Sequence, residues 1–522
     1  MKAALALTLA ASAYAQVGYE RILKPDSHNW LTYSGNYAAH RYSQLDQINE
    51  KNVARLKPLW SYQAASLQKF ETTPLVVDGI MYISEAPSNV TALDTRTGRH
   101  LWKYRRIMPD DVRVCCGQVN RGVAILGDLV YIGTIDAHLV ALNAKTGAII
   151  WDTEVANYKT GHSITVAPLA VKDKIVVGIA GGEYGVRGFL DAYYARTGKR
   201  AWRFWTVPAK GEPGVETWAG ESWKTGSATT WVTGAFDPQT NLVYWGTGNP
   251  GPDWNGDVRE GDNLYSDCLV AVDADTGTLR WYFQFTPHDV HDWDATEVPV
   301  LVDARFRGSP RKLVLFPNRN GFYYVLDRVS GQFLLGKPYV KQTWAKGLDD
   351  KGRPVRAPNT FPSLDGTTVW PSVAGANNWY SPTYSSQTGL LYVAARESGS
   401  VYFIGDPEYK EGEQFNGGSF RRVPGEQEWG AVRAFEPATG ELKWEHRLFT
   451  PPWSGLLSTA GNLVFGSTNE GQVFALHAVT GKPLWRYQTG GNARANPISY
   501  AVDGRQRVAL AMGNSLHVFG LD

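Results

Sequence analysis

The chain has 522 residues, enough to bury a large core, and sets 52 Lys and Arg against 50 Asp and Glu for a formal charge of +2. That balance argues against a nucleic-acid partner, which would demand a clustered basic excess. Twenty Trp, 26 Tyr and 54 Gly favour many short strands joined by tight turns over a helix-rich fold.

Lys2, the apolar stretch Ala3 to Ala11 and the small-x-small site Ala13-Tyr14-Ala15 read as a signal peptide over residues 1–15. No later window offers ~18 uninterrupted apolar residues, so no transmembrane helix is expected and residues 16–522 should be exported as a soluble protein. Of three cysteines, Cys115 and Cys116 are adjacent, and Cys268 lies in a strand-like run where a buried small hydrophobe is expected. A Cys-x-x-Cys-His haem-attachment motif does not occur.

A repeat dominates the chain: a strand, a turn ending in Thr-Gly, three residues, then Trp. It runs Ala92-Leu-Asp-Thr-Arg-Thr-Gly-Arg-His-Leu-Trp102 and returns with Trp151, Trp202, Trp281, Trp444 and Trp485, and once without Trp after Gly331. The turn glycines Gly98, Gly147, Gly198, Gly277, Gly331, Gly440 and Gly481 are spaced 49, 51, 79, 54, 109 and 41 residues apart. Most intervals suit a propeller blade of roughly 40–50 residues. The 79-residue interval is read as one blade plus insertions at 211–226 and 251–263. The 109-residue interval is read as two blades, with a degenerate one near Tyr380 to Phe403, which brings the count to eight. Val508 to Phe519 pairing with Leu56 to Tyr62 would close the ring. The fold expected is therefore all-β, an eight-bladed β-propeller with tryptophan-docking repeats, and these Trp residues are read as structural.

Four further segments carry chemistry. Vicinal Cys115-Cys116 would close a strained ring if oxidised, a feature of little use for stability alone; two reduced thiols are the bland alternative. Glycines around Glu183, in Gly181-Gly-Glu-Tyr-Gly-Val-Arg-Gly188, allow close backbone approach, although an isolated Glu there can be a turn residue. Asn249 in Gly246-Thr-Gly-Asn-Pro-Gly-Pro252 can equally initiate an Asn-Pro turn. Thr286-Pro-His-Asp-Val-His-Asp-Trp-Asp-Ala295 is the densest ionisable cluster, and by itself could suggest a zinc or iron site.

Taken together with Asn29-Trp-Leu-Thr-Tyr-Ser-Gly-Asn-Tyr near the start, these motifs make the chain resemble the quinoprotein alcohol and methanol dehydrogenases over nearly all its length. The resemblance implies pyrroloquinoline quinone (PQQ) and one metal ion as cofactors. It places the Cys115–Cys116 disulfide on one quinone face and Trp231 on the other, with Glu71, Arg121, Thr165, Thr229, Arg319, Asn378 and Trp453 as further contacts. Ala180 stands where methanol dehydrogenases commonly carry a cofactor-binding Ser, so a backbone amide of Gly181 or Gly182 is expected to substitute. Glu183, Asn249, Asp292 and Asp294 match metal ligands; Asp294 matches the extra aspartate of lanthanide-using relatives, and three carboxylates favour a trivalent ion over calcium.

Resemblance also implies the reaction. Asp292 would take the alcohol proton while hydride passes to the metal-polarised quinone carbonyl beside Arg319, giving an aldehyde. The cation and Arg319 should keep Asp292 ionised. Without a haem motif, electrons would go to a separate cytochrome c in the periplasm. A small alcohol is the expected substrate, and the protein is expected to be a monomer or homodimer. Two other readings compete: a non-catalytic propeller scaffold of the outer-membrane assembly type, and a quinoprotein sugar dehydrogenase.

Overall fold

The computed structural model describes residues 17–522, and the signal-peptide reading of residues 1–15 lies outside them. Its core is a ring of eight sheets, each built on four antiparallel strands, with the short strand Tyr42–Ser43 added in parallel beside Leu457–Thr459 at the edge of one of them. Blades 1 to 4 span Leu75–Val77 to His100–Tyr104, Ala124–Leu126 to Ile149–Glu154, Leu169–Val171 to Arg200–Trp205, and Ala235–Asp237 to Leu279–Gln284. Blades 5 to 7 span Val300–Phe306 to Phe333–Pro338, Thr383–Ser385 to Glu441–Leu448, and Leu457–Thr459 to Pro483–Gln488. Blade 8 combines Ile498–Val502, Arg505–Met512 and Ser515–Gly520 with Lys57–Gln63 from the other end of the chain.

Burial explains the strand patterns. Second strands such as Leu129–Gly133 are buried at every position because neighbouring blades cover both faces. Fourth strands such as Ile149–Glu154 alternate, since one face meets solvent.

The docking repeat works as read. A Cβ at Gly147, whose φ is +72°, would sit 2.5 Å from the Trp102 ring, so the turn of blade 2 must be bare for the tryptophan of blade 1 to lie on it. The Trp102 indole N–H then donates to the Ala144 carbonyl at 3.0 Å. Trp151, Trp202 and Trp444 donate to Ala195, Ala274 and Ala478 in the same way. Trp60 closes the circle onto Gly98 and donates to Thr95. Blade 5 lacks the Trp, and Leu335 occupies its place, packing toward Gly440.

One placement differs. The 109-residue interval holds a single blade: Thr383–Ser385 and Leu390–Glu397 belong to the same sheet as the strands around the Gly440 turn. The remaining length forms a two-stranded and a three-stranded insertion. The eighth blade is instead the closing one, with Lys57 opposite Gly520 and Tyr62 opposite Leu516. It needs no Thr-Gly turn because its fourth strand arrives from the N-terminal side rather than through a hairpin.

Topology fixes where a site can form. In four-stranded antiparallel blades, blade-to-blade connections and the loops between second and third strands share one end of the ring. The docking turns, between third and fourth strands, lie at the other.

Candidate active site

Every sequence-derived site residue falls at that first end. Glu71 precedes blade 1; Cys115, Cys116 and Arg121 join blades 1 and 2; Thr165 joins 2 and 3; Thr229 and Trp231 join 3 and 4. Asp292 and Asp294 join blades 4 and 5, Asn378 joins 5 and 6, and Trp453 joins 6 and 7. Glu183, Asn249 and Arg319 sit in the second-to-third-strand loops of blades 3, 4 and 5.

Cys115 and Cys116 form a vicinal disulfide, and the Cys116 sulfur lies 3.7 Å from a Glu183 carboxylate oxygen. Lys69 Nζ donates to the Cys116 carbonyl at 2.7 Å, anchoring the exposed ring. Glu183 rides on the one-turn 3₁₀ helix Gly182–Tyr184, entered through Gly181 at φ +118°. Ser227 Oγ holds that turn by donating to the Gly182 carbonyl at 2.6 Å.

Arg121 organises the neighbouring part. Its Nη2 lies 3.0 Å from Glu71 Oε2 and its Nη1 donates to Thr165 Oγ1 at 2.9 Å. The guanidinium sits 4.9 Å from the Trp231 ring centroid and 4.8 Å from that of Trp379. Arg121 Nε is buried without a hydrogen-bond partner among the described residues.

Carboxylates gather around Arg319. Its Nη1 meets Asp294 Oδ2 at 2.5 Å, while Nη2 donates to the Asp292 and Val373 carbonyls at 2.6 and 2.7 Å. Asp294 Oδ1 accepts from the Asn249 backbone N–H at 3.0 Å, and its carboxylate also interacts with the Trp231 side chain. Asn249 Nδ2 donates to Asp253 Oδ1 at 2.8 Å. Glu297 Oε1 accepts the Arg319 backbone N–H at 2.7 Å.

Burial governs the electrostatics. It pushes Glu183 up to about 7, with the charge of Asp294 adding to it. Asp292 is held well above the usual carboxylate range by burial first; Arg319 pulls it down, while Asp294, Asp253 and Glu183 push it up again. Arg319 by itself therefore does not offset the burial of Asp292, and the expectation that it stays ionised rests on the cation as well as on Arg319. Asp253 and Asp294 are raised by burial as well.

These residues suit the cofactors the motifs imply. Mutually repelling buried carboxylates with an amide oxygen form a hard-donor set that is stable in ionised form only with added positive charge. Buried, unpartnered Nε atoms on Arg319 and on Arg121, the latter beside aromatic rings, offer donors to a planar polycarboxylate.

Not every assignment converges equally. Asn378 spends its amide on its own backbone, donating to Ala374 O at 2.9 Å and accepting from the Trp379 N–H at 2.9 Å. Trp453 lies under Arg396, 4.3 Å from ring centroid to guanidinium, and reaches Trp379 only through Tyr380. Asp253 was missed, since one Asp in a Gly-Pro-Asp-Trp loop carries no signal of its own. Only the Asn249 contact reveals it.

Fold and site together suit a propeller enzyme with room for a planar anionic cofactor beside a hard cation. The profile of the PQQ glucose/ethanol/alcohol dehydrogenase β-propeller domain matches residues 30–338. Quinoprotein alcohol dehydrogenase PedH of Pseudomonas putida is 40% identical over 97% of this chain and 90% of its own length. A lanthanide-dependent methanol dehydrogenase of Methylacidiphilum fumariolicum is 36% identical over 94% and 85%. The solved structure of a europium-containing methanol dehydrogenase superposes with a TM-score of 0.92 at 33% identity, covering 96% of this chain and 99% of that one. The chain belongs to the PQQ-dependent alcohol dehydrogenase family and is an oxidoreductase of that class. The outer membrane protein assembly factor BamB profile matches residues 428–522, and BamB of Moraxella catarrhalis superposes at TM-score 0.51 with 16% identity, a likeness of fold alone.

Proposed function

We propose that this quinoprotein alcohol dehydrogenase oxidises a small alcohol to an aldehyde, with Asp292 as the base and a lanthanide preferred over calcium. The observation that carries the reading is Arg319 holding Asp294 by its side chain and Asp292 by its backbone, next to Glu183 and Asn249.

Cys115, Cys116, Trp231, Arg121, Glu71, Thr165 and Thr229 would hold the quinone, with the amides of Gly181 and Gly182, Arg319, Asn378 and Trp453 as further contacts. Glu183, Asn249, Asp292 and Asp294 would ligate the ion. When bound, the quinone and its ion supply the two-electron acceptor for alcohol oxidation. Asp292 takes the hydroxyl proton at its carboxylate, which the added cation keeps ionised against burial. Arg319 anchors the Asp292 backbone and so fixes where the base is mounted. Asp294 adds the charge that favours a trivalent ion.

Export to the periplasm fits the Lys2 to Ala15 pattern and the vicinal disulfide, which persists in an oxidising compartment. Delivery of electrons to a separate cytochrome c fits the absence of Cys-x-x-Cys-His from these 522 residues.

Dye-linked ethanol oxidation by the protein loaded with PQQ, with lanthanum or with calcium, tests this reading. Faster turnover with lanthanum supports it, and activity with calcium alone overturns the ion preference. An Asp292→Asn protein that binds PQQ and ion yet keeps wild-type turnover overturns the base.

A further inference from the structure

We propose that Asp253 is a positioning residue for the cation site: its carboxylate fixes the Asn249 amide with the carbonyl oxygen toward the ion, and its charge biases the site toward a trivalent one. The inference rests on the assignment of Glu183, Asn249, Asp292 and Asp294 as ion ligands.

An asparagine side chain can point either end at a ligand, and only the oxygen binds a cation. Here the choice is made. Asn249 Nδ2 donates to Asp253 Oδ1 at 2.8 Å, and Asn249 Oδ1 is left facing the Gly182 turn, 3.8 Å from where a Cβ on Gly182 would stand. Rotating the amide by half a turn would set two acceptor oxygens against each other and aim an N–H₂ group at the cation. Both outcomes are unfavourable.

Asp253 is only 2% exposed, and its backbone is clamped on both sides. Arg259 donates from Nε and Nη2 to the Pro252 carbonyl at 3.1 and 2.9 Å, and the Trp254 N–H donates to the Asn416 carbonyl at 3.0 Å. The carboxylate is therefore kept in place beside Asn249. It also adds a negative charge to a set that already includes Glu183, Asp292 and Asp294. Coulomb attraction grows with the charge of the bound ion, so each added carboxylate favours a trivalent ion over a divalent one.

Europium(III) luminescence, sensitised by tryptophan excitation, tests this on the full chain stripped of ion, with calcium as competitor. Asp253→Asn keeps an acceptor oxygen but removes the charge, and its preference for europium over calcium should fall about tenfold with the number of ion-bound waters unchanged. Asp253→Ala also releases the amide; europium should bind more than about tenfold more weakly, with lifetimes in H₂O and D₂O reporting one extra bound water. The nearly isosteric Asp253→Asn protein keeps the test intact if Asp253→Ala fails to fold. Wild-type selectivity and water count in these variants, with binding weakened in Glu183→Gln, would overturn the role of Asp253 alone. Unchanged europium binding in Glu183→Gln would remove the ligand assignment itself, and this inference with it.

Discussion

The Arg319 guanidinium grips two aspartates by different means, the side chain of Asp294 at 2.5 Å and the backbone carbonyl of Asp292 at 2.6 Å. One buried cation thus sets the spacing of a pair separated by a single residue. Asp292 itself takes a left-handed backbone conformation, φ +59°, which turns the loop between the two carboxylates.

Removing Asp294 should change ion choice more than it changes the fold. In Asp294→Ala, Arg319 keeps its bonds to the Asp292 and Val373 carbonyls, so the loop stays anchored. Lanthanum-supported turnover should drop at least about tenfold, with a smaller change in calcium-supported turnover, as a deleted charged ligand implies. The ratio of the two rates is the measurement; an unaltered ratio would exclude Asp294 from ion selection.

The vicinal disulfide should matter to the cofactor and hardly at all to stability. Linking neighbours closes so small a loop that the chain-entropy gain is only about 1 kcal/mol. A Cys115→Ser, Cys116→Ser protein should therefore melt within a few degrees of wild type while losing most of its PQQ affinity. Absorption titration with PQQ and a thermal melt give both numbers.

Blade docking should carry the stability instead. Trp102→Ala removes a ring packed on Gly147 and a hydrogen bond to Ala144, at a cost of about 3–5 kcal/mol. Gly147→Val should be comparably harmful because it adds a side chain both at positive φ and against that ring. Denaturant unfolding of the two variants checks this, and a loss under 1 kcal/mol in both would contradict the docking account.

Acid should loosen the loop beneath Glu183. His162, beside Gly181, accepts from or donates to Thr160 Oγ1 at 2.7 Å, and burial, helped by the charge of Arg203, lowers it to about 4. The unfolded chain takes up that proton near pH 6.5, whereas the folded one does not until about 4. Stability from this group is thus complete above pH 6.5 and is lost as pH falls toward 4, on the order of 3 kcal/mol in all. Melting curves across that range should show a shallower slope for His162→Gln than for wild type.

The sequence by itself determined the repeat and its docking glycines, because turn chemistry and fixed offsets such as Gly147 to Trp151 are local properties, and it marked Glu183, Asp292 and Asp294 as candidates by their motifs. It also determined the pairing that closes the ring, from strand-like segments at the two ends. The degenerate stretch near Tyr380 misled the blade assignment, since strand patterns in an insertion and in a blade look alike until pairing partners are known. Tertiary structure alone decided that Arg121 lies between Trp231 and Trp379, that Asp253 turns the Asn249 amide, and that burial outweighs Arg319 at Asp292. Each of these depends on loops from different blades meeting at one end of a closed ring, where desolvation and through-space charge act between residues that no local pattern connects.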